Sequence, residues 1–126
     1  INKKPFVVCD TAHNAEGITE VLSMINKLDF YQLHIVFGVV NDKDINKILT
    51  LLPTNAKYYL CKPNIPRGLD TKILSQKFQE HNFNFKVYNS CGDAVAAAML
   101  LANKEDIIYV GGSTFVVADI LELITS

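Results

Sequence analysis

Val7-Val8-Cys9-Asp10-Thr11-Ala12-His13-Asn14-Ala15-Glu16-Gly17 runs from an apolar strand candidate, through a cluster of short polar groups, into a helix candidate. Ile18, Val21, Leu22, Ile25 and Leu28 then recur at helical spacing, which places Asp10 to Asn14 in the loop between a buried strand and the N-terminus of its helix. In open α/β sheets ligands bind at that edge.

Working outward, strand and helix patterns alternate five times. The strand candidates are Phe6 to Cys9, Leu33 to Phe37, Lys57 to Leu60, Phe85 to Tyr88 and Ile107 to Val110, each rich in β-branched or aromatic residues. Ile45, Ile48, Leu49 and Leu52 form one helical stripe, and Leu69, Ile73, Leu74 and Phe78 form another. Ala94 to Leu101 is apolar nearly all round, which predicts a helix packed closely on the sheet, and Phe115 to Ile124 reads the same way. The alternation predicts an α/β fold: a Rossmann-like open sheet of about five parallel strands, in the order 3-2-1-4-5, with helices on both faces.

Composition bounds the rest. The 126 residues, 49% of them hydrophobic, suit one domain with a sizeable core, and no internal linker divides residues 1–126. The chain begins at Ile1 with a strand close behind, so it is read as a fragment of a longer protein. A net charge of −1 gives no basic surface for nucleic acid. No apolar run reaches the ~18 residues of a membrane span, and no signal peptide opens the chain, so the expected compartment is the cytoplasm. Cys9, Cys61 and Cys91 lack metal-ligand spacing and are expected to be free, buried thiols.

In a parallel sheet the segments after each strand share one edge. There lie Asp10, His13, Asp42, Lys43, Asp44, Arg67 and Ser113, whereas the opposite loops, such as Asn103-Lys104-Glu105-Asp106, read as ordinary turns. Helix capping recruits short polar residues to the same edge, so Asp10 and Ser113 also suit caps, and Asn14 suits a cap better than a ligand contact. Lys43 fits either a solvated charge before a helix or a contact to a phosphate. Arg67, fixed behind Pro66, fits a bidentate pair with a carboxylate of ligand or protein. His34, inside a strand, and His81, near a helix end, are read as structural. Tyr58, Tyr59, Tyr88 and Tyr109 are read as core or sheet edge.

Four segments carry a family resemblance. Asp10 to Gly17 resembles the D-x-A-H-N-P-x-G motif that opens the C-terminal domain of folylpolyglutamate and dihydrofolate synthases, within the Mur ligase family. Val36 to Asp44 resembles the V-F-G-x-x-x-D-K-D of these enzymes, Ile65-Pro66-Arg67 their P-R after the third strand, and Gly111 to Phe115 their G-S-x-Y/F. Ala15 replaces the usual Pro, and Gly68 stands where Ala is common, which would loosen the chain behind Arg67. The phosphate loop G-x-x-G-K-S/T is absent from these residues.

The resemblance implies an ATP-dependent ligase that activates a carboxylate as an acyl phosphate and joins it to L-glutamate. Folate or dihydropteroate is the implied acceptor, and ATP and Mg2+ are implied to be held mainly by a central ATPase domain of the same protein. It further implies that Asp10 and His13 face the nucleotide, that Lys43 orients the closed interface or meets a phosphate, and that Arg67 and Ser113 receive substrate carboxylate. The fragment alone is expected to be inactive. The alternatives are a peptidoglycan-precursor ligase, disfavoured by the D-K-D segment, and a non-catalytic nucleotide-binding or interaction module.

Overall fold

The computed structural model describes residues 5–12, 14–40 and 45–125. Strands β1 (Phe6–Cys9), β2 (Leu33–Phe37), β3 (Lys57–Leu60), β4 (Asn84–Val87) and β5 (Ile107–Gly111) alternate with helices α1 (Ala15–Asn26), α2 (Ile45–Leu51), α3 (Thr71–Glu80), α4 (Cys91–Leu101) and α5 (Thr114–Thr125). All strand pairs are parallel.

Short polar side chains set the helix starts. Asn14 accepts from the Gly17 N–H at 2.8 Å, Asp70 from Lys72 at 2.8 Å, Ser90 from Asp93 at 3.0 Å and Ser113 from Phe115 at 3.1 Å. The end of α3 is marked by Asn82, whose φ of 59° is the left-handed conformation that Asn tolerates after a helix.

The period-2 alternation of the inner strands sorts the core into two layers. Leu33, Ile35, Phe37, Tyr58, Leu60, Ile107 and Tyr109 face α1, α2 and α3, where Ile18, Leu22, Leu49, Leu74 and Phe78 meet them. Val36, Tyr59, Cys61, Ile108 and Val110 face α4 and α5, which supply Ala94, Ala98, Val116 and Ile120. Helices on both faces agree with the pattern read from sequence.

The strand order differs from the expected 3-2-1-4-5. It is β1-β5-β2-β3-β4, so the strand latest in sequence lies between the first two. Burial explains why: β5 is buried at every position, whereas β1 and β4 keep exposed residues and form the edges. Three smaller expectations also change. Cys9 is exposed because it lies on edge strand β1, and only Cys61 and Cys91 are buried thiols. Helix α4 packs through its alanines, but Leu100 and Leu101, beyond the sheet contact, are 85% and 56% exposed. Strand β4 begins at Asn84, one residue earlier than read, because Asn84 pairs with Lys57.

Candidate active-site edge

The strand order arranges the loops along the C-terminal edge as β1, β5, β2, β3, β4. The chain leaves β1 toward α1 on one face and leaves β5 toward α5 on the other, the switch-point arrangement at which open α/β sheets offer a ligand crevice. Asp10 stands on one side of that crevice and the start of α5 on the other. Thr114 bridges them, its hydroxyl donating to the Thr11 carbonyl at 3.3 Å.

Asp10 is anchored through both its backbone and its side chain. Its backbone N–H continues the β1–β5 ladder to the Val110 carbonyl at 2.9 Å. One carboxylate oxygen accepts from the Ala12 N–H at 3.0 Å, and the other from the Tyr109 hydroxyl at 2.7 Å. Asp10 is therefore not the cap of α1, a duty that falls to Asn14. The Tyr109 phenol is pushed above its ordinary value by burial and, beyond that, by the hydrogen bond and charge of Asp10, so it stays a neutral donor. Sequence reading placed Tyr109 in the core, where its ring is, and missed the hydroxyl at the site.

Ser113 is buried at 2% exposure and caps α5. Before it, Gly112 has φ of 97°, and a Cβ there would run into the Gly38 carbonyl and the Phe37 ring. Only glycine allows the α5 start to sit this close to β2. The free N–H groups of the first turn and the helix dipole suit an anion, which is compatible with the cap.

Arg67 lies farther along the edge, beyond β2, and is exposed. Its loop is tight: Ile65 N–H donates to Pro63 at 2.8 Å, Gly68 N–H to Ile65 at 3.0 Å and Leu69 N–H to Val39 at 2.8 Å. Gly68 is bridged to Val40, and a Cβ on it would lie 2.6 Å from the Pro63 carbonyl. The expectation that Gly68 loosens this segment is thus reversed, since it permits the close packing behind Arg67. His13, Asp42, Lys43 and Asp44 lie outside the described residues.

Two further features escaped sequence reading. Between the β3 and β4 loops is a cleft of about 610 Å³ lined by Lys62, Asn64, Pro66, Ser90 and Asp119 among others, where Asp119 of α5 accepts from the Asn64 N–H at 3.0 Å. At the opposite edge, His34 is buried between Tyr59 and Asp106. Asp106 is consequently no ordinary turn residue. Among the described residues no group of three or more His, Cys, Asp or Glu could hold a metal ion, and no helix is long and apolar enough to cross a membrane.

Comparison with known proteins agrees with this geometry. Residues 1–114 match the family described as Mur ligase, glutamate ligase domain. A probable bifunctional folylpolyglutamate synthase/dihydropteroate synthase of Haloferax volcanii is 37% identical over 120 residues, covering 92% of this chain and 14% of that protein. The dihydrofolate synthase/folylpolyglutamate synthase of Escherichia coli is 33% identical over 128 residues, covering 98% of this chain and 29% of that protein. The solved structure of E. coli FolC in complex with DHPP and ADP superposes with a TM-score of 0.85 at 30% identity, covering 99% of this chain and 30% of that one. The chain spans a third or less of these relatives. A parallel sheet of this order, the Asp10 and Ser113 loops facing each other across its crevice, and a family match over nearly the whole length place the chain in the Mur ligase family, as a glutamate ligase domain.

Proposed function

We propose that the chain works as the C-terminal domain of a longer, cytoplasmic, folate-type ligase that joins L-glutamate to folate or dihydropteroate at the expense of ATP. The observation that carries this reading is the anchored Asp10 carboxylate opposite the N-terminus of α5, in the crevice where β1 and β5 diverge. When bound, ATP supplies the phosphoryl group that makes the substrate carboxylate reactive. The described residues suit an edge contact to the nucleotide: the half-buried Asp10 can accept from sugar hydroxyls. The chain carries no phosphate-loop motif, and in this reading the triphosphate and Mg2+ are held mainly by the central domain.

His13, three residues after Asp10 in the same motif, is assigned to the nucleotide side, and Lys43 to a phosphate or to orienting the closed interface. Arg67 and the Ser113 turn receive substrate carboxylate, with glutamate the ligand of Arg67. Domain closure would exclude water from the activated acyl group. A peptidoglycan-precursor ligase is the weaker reading, because Asp42-Lys43-Asp44 has the folate-type pattern.

The test uses the full-length enzyme. Asp10→Ala and His13→Ala should each cut turnover strongly while the fold persists, and residues 1–126 alone should show no ligase turnover. Near wild-type activity in both variants would return these residues to turn duty.

A further inference from the structure

The Asp10 carboxylate is the proposed nucleotide contact, yet it lies in a loop, where side chains are ordinarily less well fixed than on a strand or helix. Its second anchor comes from inside the sheet. Tyr109 is fully buried on β5, its ring in the layer that faces α1, and its hydroxyl emerges at the strand's C-terminal end to donate to Asp10 at 2.7 Å.

That reach depends on the residue two places on. Side chains at i and i+2 share a face of a strand, so position 111 lies directly in the path of the Tyr109 ring. Position 111 is glycine, and a Cβ there would sit 2.6 Å from the phenol oxygen and 2.7 Å from the carbon that carries it. The ring occupies the space that a side chain at 111 would fill. Tyr109, Gly111 and Asp10 therefore form one arrangement across two neighbouring strands, in which Val8 pairs with Tyr109 and Cys9 with Val110.

The chemistry of the contact follows. The Ala12 N–H holds one carboxylate oxygen and the Tyr109 hydroxyl holds the other, so rotation of the carboxylate is blocked from both sides. Each oxygen has a further acceptor site beyond the one used, and a half-buried carboxylate can offer these to hydroxyl groups in the crevice. The phenol is a neutral donor that orients without contributing a competing charge. We propose that Tyr109 is a positioning residue for nucleotide binding: through its hydrogen bond it sets the Asp10 carboxylate in the orientation that receives the sugar hydroxyls. This rests on the reading of Asp10 as a nucleotide contact.

The experiment compares Tyr109→Phe, Asp10→Ala and the double variant in the full-length ligase. Phenylalanine keeps the ring that fills the core, so the fold is retained and thermal melting reports any loss of stability. The expected result for Tyr109→Phe is a rise of about five- to tenfold in KM for ATP, with kcat and the KM for glutamate changed less than about twofold. The double variant should match Asp10→Ala alone, because the hydroxyl acts only through that carboxylate. If Tyr109→Phe lowers Tm but leaves KM for ATP unchanged while Asp10→Ala raises it, the positioning role is wrong and the nucleotide role of Asp10 stands. If Asp10→Ala also leaves KM for ATP unchanged, the nucleotide role itself is wrong, and the inference about Tyr109 falls with it.

Discussion

His34 and Asp106 meet through Nε2 and Oδ2 at 2.8 Å, with side chains only 1% and 2% exposed. A carboxylate can only accept, so Nε2 carries a proton, and in the neutral ring Nδ1 accepts from the Tyr59 hydroxyl at 2.7 Å. The Asn103 N–H also donates to Asp106, at 2.9 Å. Asp106→Ala leaves the buried His34 Nε2–H and the Asn103 N–H without their acceptor. Breaking a buried pair from one side costs about 3–5 kcal/mol, and urea unfolding of the domain should read that loss. A His34→Phe/Asp106→Leu double variant should recover part of it. A loss under about 1 kcal/mol for Asp106→Ala would mean the network is better solvated than its burial indicates.

Alkaline pH should unfold the domain through its phenols. Burial, assisted by Tyr88 and Asp106, pushes Tyr59 up to about 12, and Tyr58 and Tyr109 are raised further, burial again the leading cause. A phenol raised in the folded state adds stability that is complete below the unfolded value of about 10 and is lost as pH climbs toward the folded value. Phenolate absorbance from these three tyrosines should therefore appear together with loss of helical circular dichroism, between about pH 10 and 12. Smooth ionisation of all tyrosines near pH 10 with the fold intact would contradict their burial.

Much of this architecture is written locally, and the remainder depends on which strands become neighbours. The stripes of α1 and α3, and the caps Asn14 and Ser113, follow from spacing and from side chains that bond two or three residues away. The strand order does not, because crossovers of similar length permit several orders. A clue was present in Ile107-Ile108-Tyr109-Val110, which has no charged residue and suits an inner strand, whereas β1 follows Pro5 and suits an edge. The Asp10 contact with Tyr109 joins residues 99 positions apart, and that of His34 with Asp106 joins residues 72 apart. Neither is legible until β5 is known to lie between β1 and β2.

Arg67→Ala should separate substrate reading from nucleotide reading. Loss of one charge-assisted bond costs about 1.5–3 kcal/mol, so in the full-length ligase KM for glutamate should rise about ten- to hundredfold, with KM for ATP far less affected. Ser113→Ala should act in the same direction but more weakly, because the backbone donors at the start of α5 remain. If Arg67→Ala only lowers Tm and leaves glutamate saturation unchanged, Arg67 is a structural ion-pair partner.

Gly112→Ala should be among the most damaging single-methyl changes in the domain. It combines a left-handed backbone angle of 97° with a clash against the Gly38 carbonyl and the Phe37 ring. A loss of about 2–4 kcal/mol is expected in urea unfolding. A variant as stable as the parent would show that the β5–α5 turn can move away from β2.

The position of β5 also bears on how this domain emerges from the ribosome. Strand β1 is hydrogen-bonded in the sheet to β5 alone, and β5 also joins β2, so it links the first strand to the other three. Until Gly111 clears the exit tunnel, β1 has no strand to pair with, and β2 lacks its partner on the side away from β3. Such long-range closure slows folding and leaves an unpaired edge exposed during translation. A nascent chain stalled before Ile107 would therefore leave both β1 and one side of β2 without the strand that pairs with them.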